Sequence, residues 1–110
     1  MKAYNKLVRD KIPEIISLDK KHPVVWTLDE EEKYCCLRHK LLEEVQEFLE
    51  DENAEELADI KEVILEIMKM LNISAEEVEE KRVKKFKERG GFSEGVYLVG
   101  VYDENEIKNN

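Results

Sequence analysis

Apolar residues recur along this chain at helical rather than strand spacing. From Asn53 to Leu71, the residues Leu57, Ile60, Ile64, Ile67 and Leu71 follow one another in steps of three and four, predicting a helix with one continuous apolar stripe. The segment before it, from about Asp29 to Glu50, places Leu37, Leu41, Val45 and Phe48 on one face, with Leu42 and Leu49 beside them. Both segments open on a capping pattern, Asp29 with Glu32 and Asn53 with Glu56. A third such start, Ser74 with Glu77, opens a helix to about Glu88 whose apolar face of Val78, Val83 and Phe86 is thin; Arg89-Gly90-Gly91 closes it. Near the N-terminus, Pro13 suits the first turn of a helix running from Lys11 or Ile12 to Asp19.

Two stretches break this pattern. HPVVWTL, from His22, is rich in β-branched and aromatic residues after a proline and predicts a short extended segment. GVYLVGVY, from Gly95 to Tyr102, predicts a strand with VVW as a candidate partner, and DENEIKNN beyond it reads as a frayed end. The expected architecture is all-α and four-helix bundle-like, with an antiparallel central hairpin and a short C-terminal β segment. With 110 residues, no linker and no internal repeat, residues 1–110 are expected to form a single domain.

Charge sharpens this picture. The net charge of -9 is unevenly placed. Between Asp29 and Glu62 there are 14 acidic and 4 basic residues, whereas Lys81 to Arg89 holds six basic residues and one acidic one, and the first 22 residues carry six basic and three acidic ones. An acidic chain is a poor general binder of nucleic-acid polymers, which are held by neutralising phosphates. Two basic segments beside an acidic one suit a small polyanion bound together with a metal ion. The adjacent Cys35 and Cys36 provide no disulfide framework and read as helix packing in a reducing compartment. No run approaches the roughly 20 apolar residues of a membrane span, and the first residues lack a signal-peptide core, so a cytoplasmic protein without a membrane partner is expected.

Within the acidic stretch, Glu44 and Glu47 are three residues apart, as are Glu56 and Asp59, so each pair shares one face of its helix. In an antiparallel hairpin turning near Asp51 and Glu52, residues level with each other have numbers of constant sum. That register places Glu47 beside Glu56 and Glu44 beside Asp59. Two carboxylates about 5 Å apart repel by roughly 3 kcal/mol at an effective dielectric of about 20. Raised pKa values or a divalent cation relieve such crowding. All four groups are oxygen ligands, and neither His22 nor His39 lies at a matching position, which favours Mg²⁺ or Mn²⁺ over zinc. The competing reading is a solvated acidic face, with Glu56 serving only as the reciprocal residue of the Asn53 capping box.

These residues carry a resemblance. Glu43-Glu44-x-x-Glu47 followed by Glu56-x-x-Asp59 resembles the EExxE and ExxD motifs of the MazG-like all-α nucleoside triphosphate pyrophosphohydrolases, a superfamily that includes phosphoribosyl-ATP pyrophosphohydrolase. YNKLVRDKIPEII near the start and KKFKERGGFSEGVYL near the end resemble one small-protein branch of it. The resemblance implies Mg²⁺-dependent hydrolysis between the α- and β-phosphates, giving a nucleoside monophosphate and pyrophosphate. By position it makes Glu44, Glu47, Glu56 and Asp59 metal ligands and leaves Glu43 to orient water or support the ligands. The spacer between Glu47 and Glu56 is eight residues, shorter than in many members.

Such a reaction needs cations for the polyphosphate and its leaving group. Lys40, one turn before Glu44, is the first choice, with Lys85 and Arg89 near the Gly-Gly turn, then Arg9 and Lys11. For Lys84, Lys85 and Lys87 the alternative is a solvated helix face. Trp26, Phe92 and Tyr97 are either base-stacking or core residues. A homodimer or higher homo-oligomer is expected, because a hairpin and one thin helix leave the Leu57 to Leu71 stripe poorly covered. The reading from another class is a non-catalytic helical module with an acidic, cation-binding face; among enzymes, phosphoribosyl-ATP pyrophosphohydrolase is the other choice.

Overall fold

The structure, a computed structural model, describes residues 1–108. It is all-helical, with α1 (Ile12–Leu18), α2 (Glu30–Glu50), α3 (Ala54–Met70), α4 (Ala75–Arg89) and α5 (Glu104–Lys108). The chain divides into two compact units, one of Met1–Ala75 and one from Glu76 onward. No helix among the described residues is long and apolar enough to cross a membrane.

In the first unit, helix ends follow the capping chemistry of the sequence. Asp29 and Glu32 form a complete capping box: Asp29 Oδ1 accepts from the Glu32 backbone N–H at 2.8 Å and Glu32 Oε1 from the Asp29 N–H at 3.2 Å. At α3 only the forward half of the expected box is present, with Asn53 Oδ1 accepting from the Glu56 N–H at 2.9 Å. The Glu56 carboxylate is thus available for another task. At its other end, α3 closes in a Schellman arrangement in which Asn72 takes a left-handed φ of 57° and the Ile73 N–H donates to Met68 O at 2.9 Å. Pro13 occupies the first turn of α1, where its missing N–H costs no helical bond.

Helices α2 and α3 form the antiparallel hairpin, joined through Asp51, Glu52 and Asn53. Its open end is marked by Lys33 Nζ, 2.9 Å from Glu66 Oε1. That pair is one-third exposed and worth about 0.2–1 kcal/mol, so it reports the register more than it secures it. Between the open end and the turn lie Leu37 and Val63, 5% and 8% exposed, the buried hydrophobic residues of the described chain. The N-terminal segment is tied onto this hairpin by charge: Lys6 Nζ lies 3.9 Å from Glu43 Oε1, and Arg9 Nη2 lies 2.6 Å from Asp59 Oδ1.

In the second unit α4 carries no buried residue, in keeping with its thin apolar face. Gly90 ends it with φ 80° and donates its N–H to Phe86 O at 2.8 Å. A Cβ on Gly91 would meet the Phe86 ring at 3.1 Å, so the missing side chain there makes room for Phe86.

Three expectations are corrected. The four-helix bundle is not formed by the described residues, in which α2 with α3 is the extensively packed helix pair. The C-terminal β segment is also absent: no strand occurs among the described residues, and Val96 to Tyr102 are exposed. Strand propensity reflects packing on a pleated neighbour, and without a partner the residues form no regular structure. Conversely, DENEIK is helical where a frayed end was expected. Asp103 and Glu106 repeat half of the capping pattern of the other helices, with Glu106 Oε1 accepting from the Asp103 N–H at 3.4 Å.

With so small a buried core, each of its members carries much of the stability. Leu37→Ala is expected to lower the unfolding free energy by about 2–4 kcal/mol, read as a drop in the urea midpoint. An unchanged midpoint would show that the hairpin core lies elsewhere.

Candidate metal centre

The hairpin register brings three of the four predicted carboxylates together. One carboxylate oxygen from each of Glu44, Glu56 and Asp59 lies within 4.8 Å of the others. Glu44, from the middle of α2, is 6% exposed, while Glu56 and Asp59, one turn apart on α3, are half-buried. Glu44 Oε2 and Glu56 Oε2 are buried and make no hydrogen bond within the protein. Burial without a partner is costly for a carboxylate oxygen, and two such atoms in one cluster call for a proton, a water or a cation.

Glu47 stands beside this trio. Its hydrogen bond with Glu44, then burial, then the charges of Glu44, Glu56 and Glu43 hold its carboxyl above the ordinary range. Burial first, then the charges of Asp59, Glu44, Asp51 and Glu55, raise Glu56 in the same way. A fully solvated face would not bury Glu44.

Three basic groups partly offset the acidic cluster. Lys40 Nζ lies 3.2 Å from Glu44 Oε1 and 3.4 Å from Glu43 Oε2, with its side chain 17% exposed. Burial pulls its pKa down, but the hydrogen bond it donates to Glu44 and the charges of Glu43 and Glu44 outweigh this, and the net shift is upward. Arg9 binds Asp59, and Lys6 reaches Glu43. Glu43 therefore lies between two lysines rather than in the carboxylate trio.

Lys11 is exposed and its backbone caps α1. Lys85 and Arg89 are exposed on α4 and belong to the second unit. Trp26, Phe92 and Tyr97 are all strongly exposed, so none has the core role considered for it. Cys35 is exposed and Cys36 half-buried. Lys6 was not among the candidate residues, although KLVRDK placed it three residues before Arg9; its proximity to Glu43 depends on how the non-helical N-terminal segment lies over α2.

The residues fit a hard divalent cation. The trio offers only oxygens, the preferred ligands of Mg²⁺ and Mn²⁺. Comparisons with protein-family models, with curated proteins and with solved structures find no match for this chain.

The raised carboxyls fix the sign of a pH effect. Well above their folded pKa values, Glu47 and Glu56 are ionised in both states, and only the folded chain bears the crowding. Stability is therefore expected to rise as pH falls from neutral toward about pH 5, and the gain is complete once the unfolded carboxyls also protonate. Glu66 and Glu79, lowered through their bonds with Lys33 and Arg82, withdraw stability only at still lower pH. Urea midpoints across this range check the order, and millimolar Mg²⁺ should raise the neutral-pH midpoint and flatten the acid-side gain. A steady loss of stability from neutral pH downward would contradict the crowded cluster.

Proposed function

We propose that this protein is a Mg²⁺-dependent nucleotide pyrophosphohydrolase, cleaving between the α- and β-phosphates to give a nucleoside monophosphate and pyrophosphate. The observation that supports it most is the pair of buried, unpartnered oxygens of Glu44 and Glu56 within a cluster completed by Asp59. The motif resemblance supplies the reaction, and noncanonical nucleotides are the proposed substrates.

In this reading Glu44, Glu56 and Asp59 hold the ion. An ion held by these residues would neutralise phosphate oxygens and lower the pKa of a water bound to it. Glu47, with its raised carboxyl beside the trio, is the proton acceptor for the attacking water. As the water oxygen bonds to phosphorus, the bridging P–O bond breaks and its electron pair leaves with pyrophosphate. Lys40 meets the negative charge that develops on the phosphates, and Arg9 moves between Asp59 and the substrate. Glu43 positions Lys40 through their ion pair.

The decisive experiment is a panel of canonical and modified nucleoside triphosphates, with phosphoribosyl-ATP, assayed with Mg²⁺ for pyrophosphate release. Glu44→Gln and Asp59→Asn are expected to abolish release while circular dichroism stays helical, and Glu47→Gln to slow it roughly 100-fold to 10,000-fold. Turnover unaffected by the first two changes would refute the assignment. No turnover on any substrate would favour a non-catalytic, cation-binding helical module.

A second copy of the chain is the proposed partner. Leu42 and Leu49 on α2 and Leu57 and Ile64 on α3 are exposed along the hairpin, and apposing two hairpins would cover such residues and assemble four helices. Light scattering at micromolar concentration should give twice the mass of one chain; a monomer would defeat this arrangement.

A further inference from the structure

A cavity of about 240 Å³ lies between the N-terminal segment and α2, in the first unit. Asn5, Lys6 and Leu7 line it from the segment, and His39, Lys40 and Glu43 line it from the helix. We propose that it is a phosphate subsite that takes the pyrophosphate end of the nucleotide, with Lys6 and Lys40 as its two cationic walls; this rests on the pyrophosphohydrolase reading.

Position is the first argument. Lys40 belongs to both sites: it lines the cavity, and its Nζ lies 3.2 Å from Glu44 Oε1 in the carboxylate trio. A phosphate chain leaving the trio meets Lys40 first and Lys6 next, because both lysines converge on Glu43, at 3.4 and 3.9 Å. The segment is shaped for this approach. Asn5 takes a left-handed φ of 48°, a conformation that asparagine tolerates better than most residues, directly before Lys6.

Donor chemistry is the second argument. Two ammonium groups, the Asn5 amide and the His39 ring offer several N–H donors, which phosphate oxygens accept. A base would instead call for flat apolar walls, and the cavity has no aromatic phenyl or indole ring.

Charge makes the subsite conditional. Without a cation, Lys40 is shared between Glu43 and Glu44, and Lys6 is paired with Glu43. A divalent ion on Glu44, Glu56 and Asp59 takes up the Glu44 charge and leaves Lys40 for phosphate. The cavity therefore binds pyrophosphate with the ion and weakly without it.

The test is calorimetric titration of the full chain with inorganic pyrophosphate, with Mg²⁺ and with EDTA, alongside turnover assays. Lys6→Gln is expected to weaken pyrophosphate binding in Mg²⁺ about tenfold or more, and Lys6→Arg to restore most of it, while Lys61→Gln on an exposed part of α3 changes nothing. Circular dichroism establishes that the variants fold. Unchanged affinity in Lys6→Gln, or no pyrophosphate binding by the native chain, would overturn the subsite. Lys6-dependent binding in a chain without turnover would uphold the subsite and overturn the hydrolase reading. Turnover with Lys6-independent binding would overturn the subsite alone.

Discussion

Glu44 is a carboxylate held out of water in the middle of a helix hairpin, and much of the first unit is arranged around that fact. Removing a carboxylate from water is expensive unless charge and hydrogen bonds meet it. Lys40, one turn away, meets one oxygen at 3.2 Å; the other oxygen is buried without a partner. The order of this pair, lysine before glutamate, is the weaker one for an isolated helix, so its strength comes from burial rather than from local helix chemistry. Glu47 and Glu56 respond to the same crowding with raised pKa values.

The N-terminal segment is best understood as a response to that charge. It has no regular structure before α1, yet Lys6 and Arg9 reach Glu43 and Asp59, on different helices of the hairpin. Ion pairs at the surface contribute little individually. Here their effect is placement: they lay a basic strand of chain along an acidic face and enclose a cavity beside the carboxylates.

Where the sequence misled, the missing information was a partner. VVW and GVYLVGVY have the composition of strands, but a strand is made by its neighbour's backbone groups. The thin face of α4 likewise implied a bundle only if another surface covered it. By contrast, Asp103 with Glu106 carries the same spacing as the capping pair Asp29 and Glu32, so the last helix was legible in the sequence.

Local chemistry in the sequence determined the helices and most of their ends, because caps, prolines and apolar periodicity act within a few residues. It also determined that α2 and α3 turn back on each other as a hairpin, since only three residues join them. Tertiary structure alone decided which carboxylates converge: Glu44, Glu56 and Asp59 form the cluster, and Glu47 stands beside it. It also decided that Glu43 belongs with Lys6 and Lys40. Those outcomes depend on side-chain direction and on the path of a segment without regular structure, and neither repeats along the sequence in a way that can be read in advance.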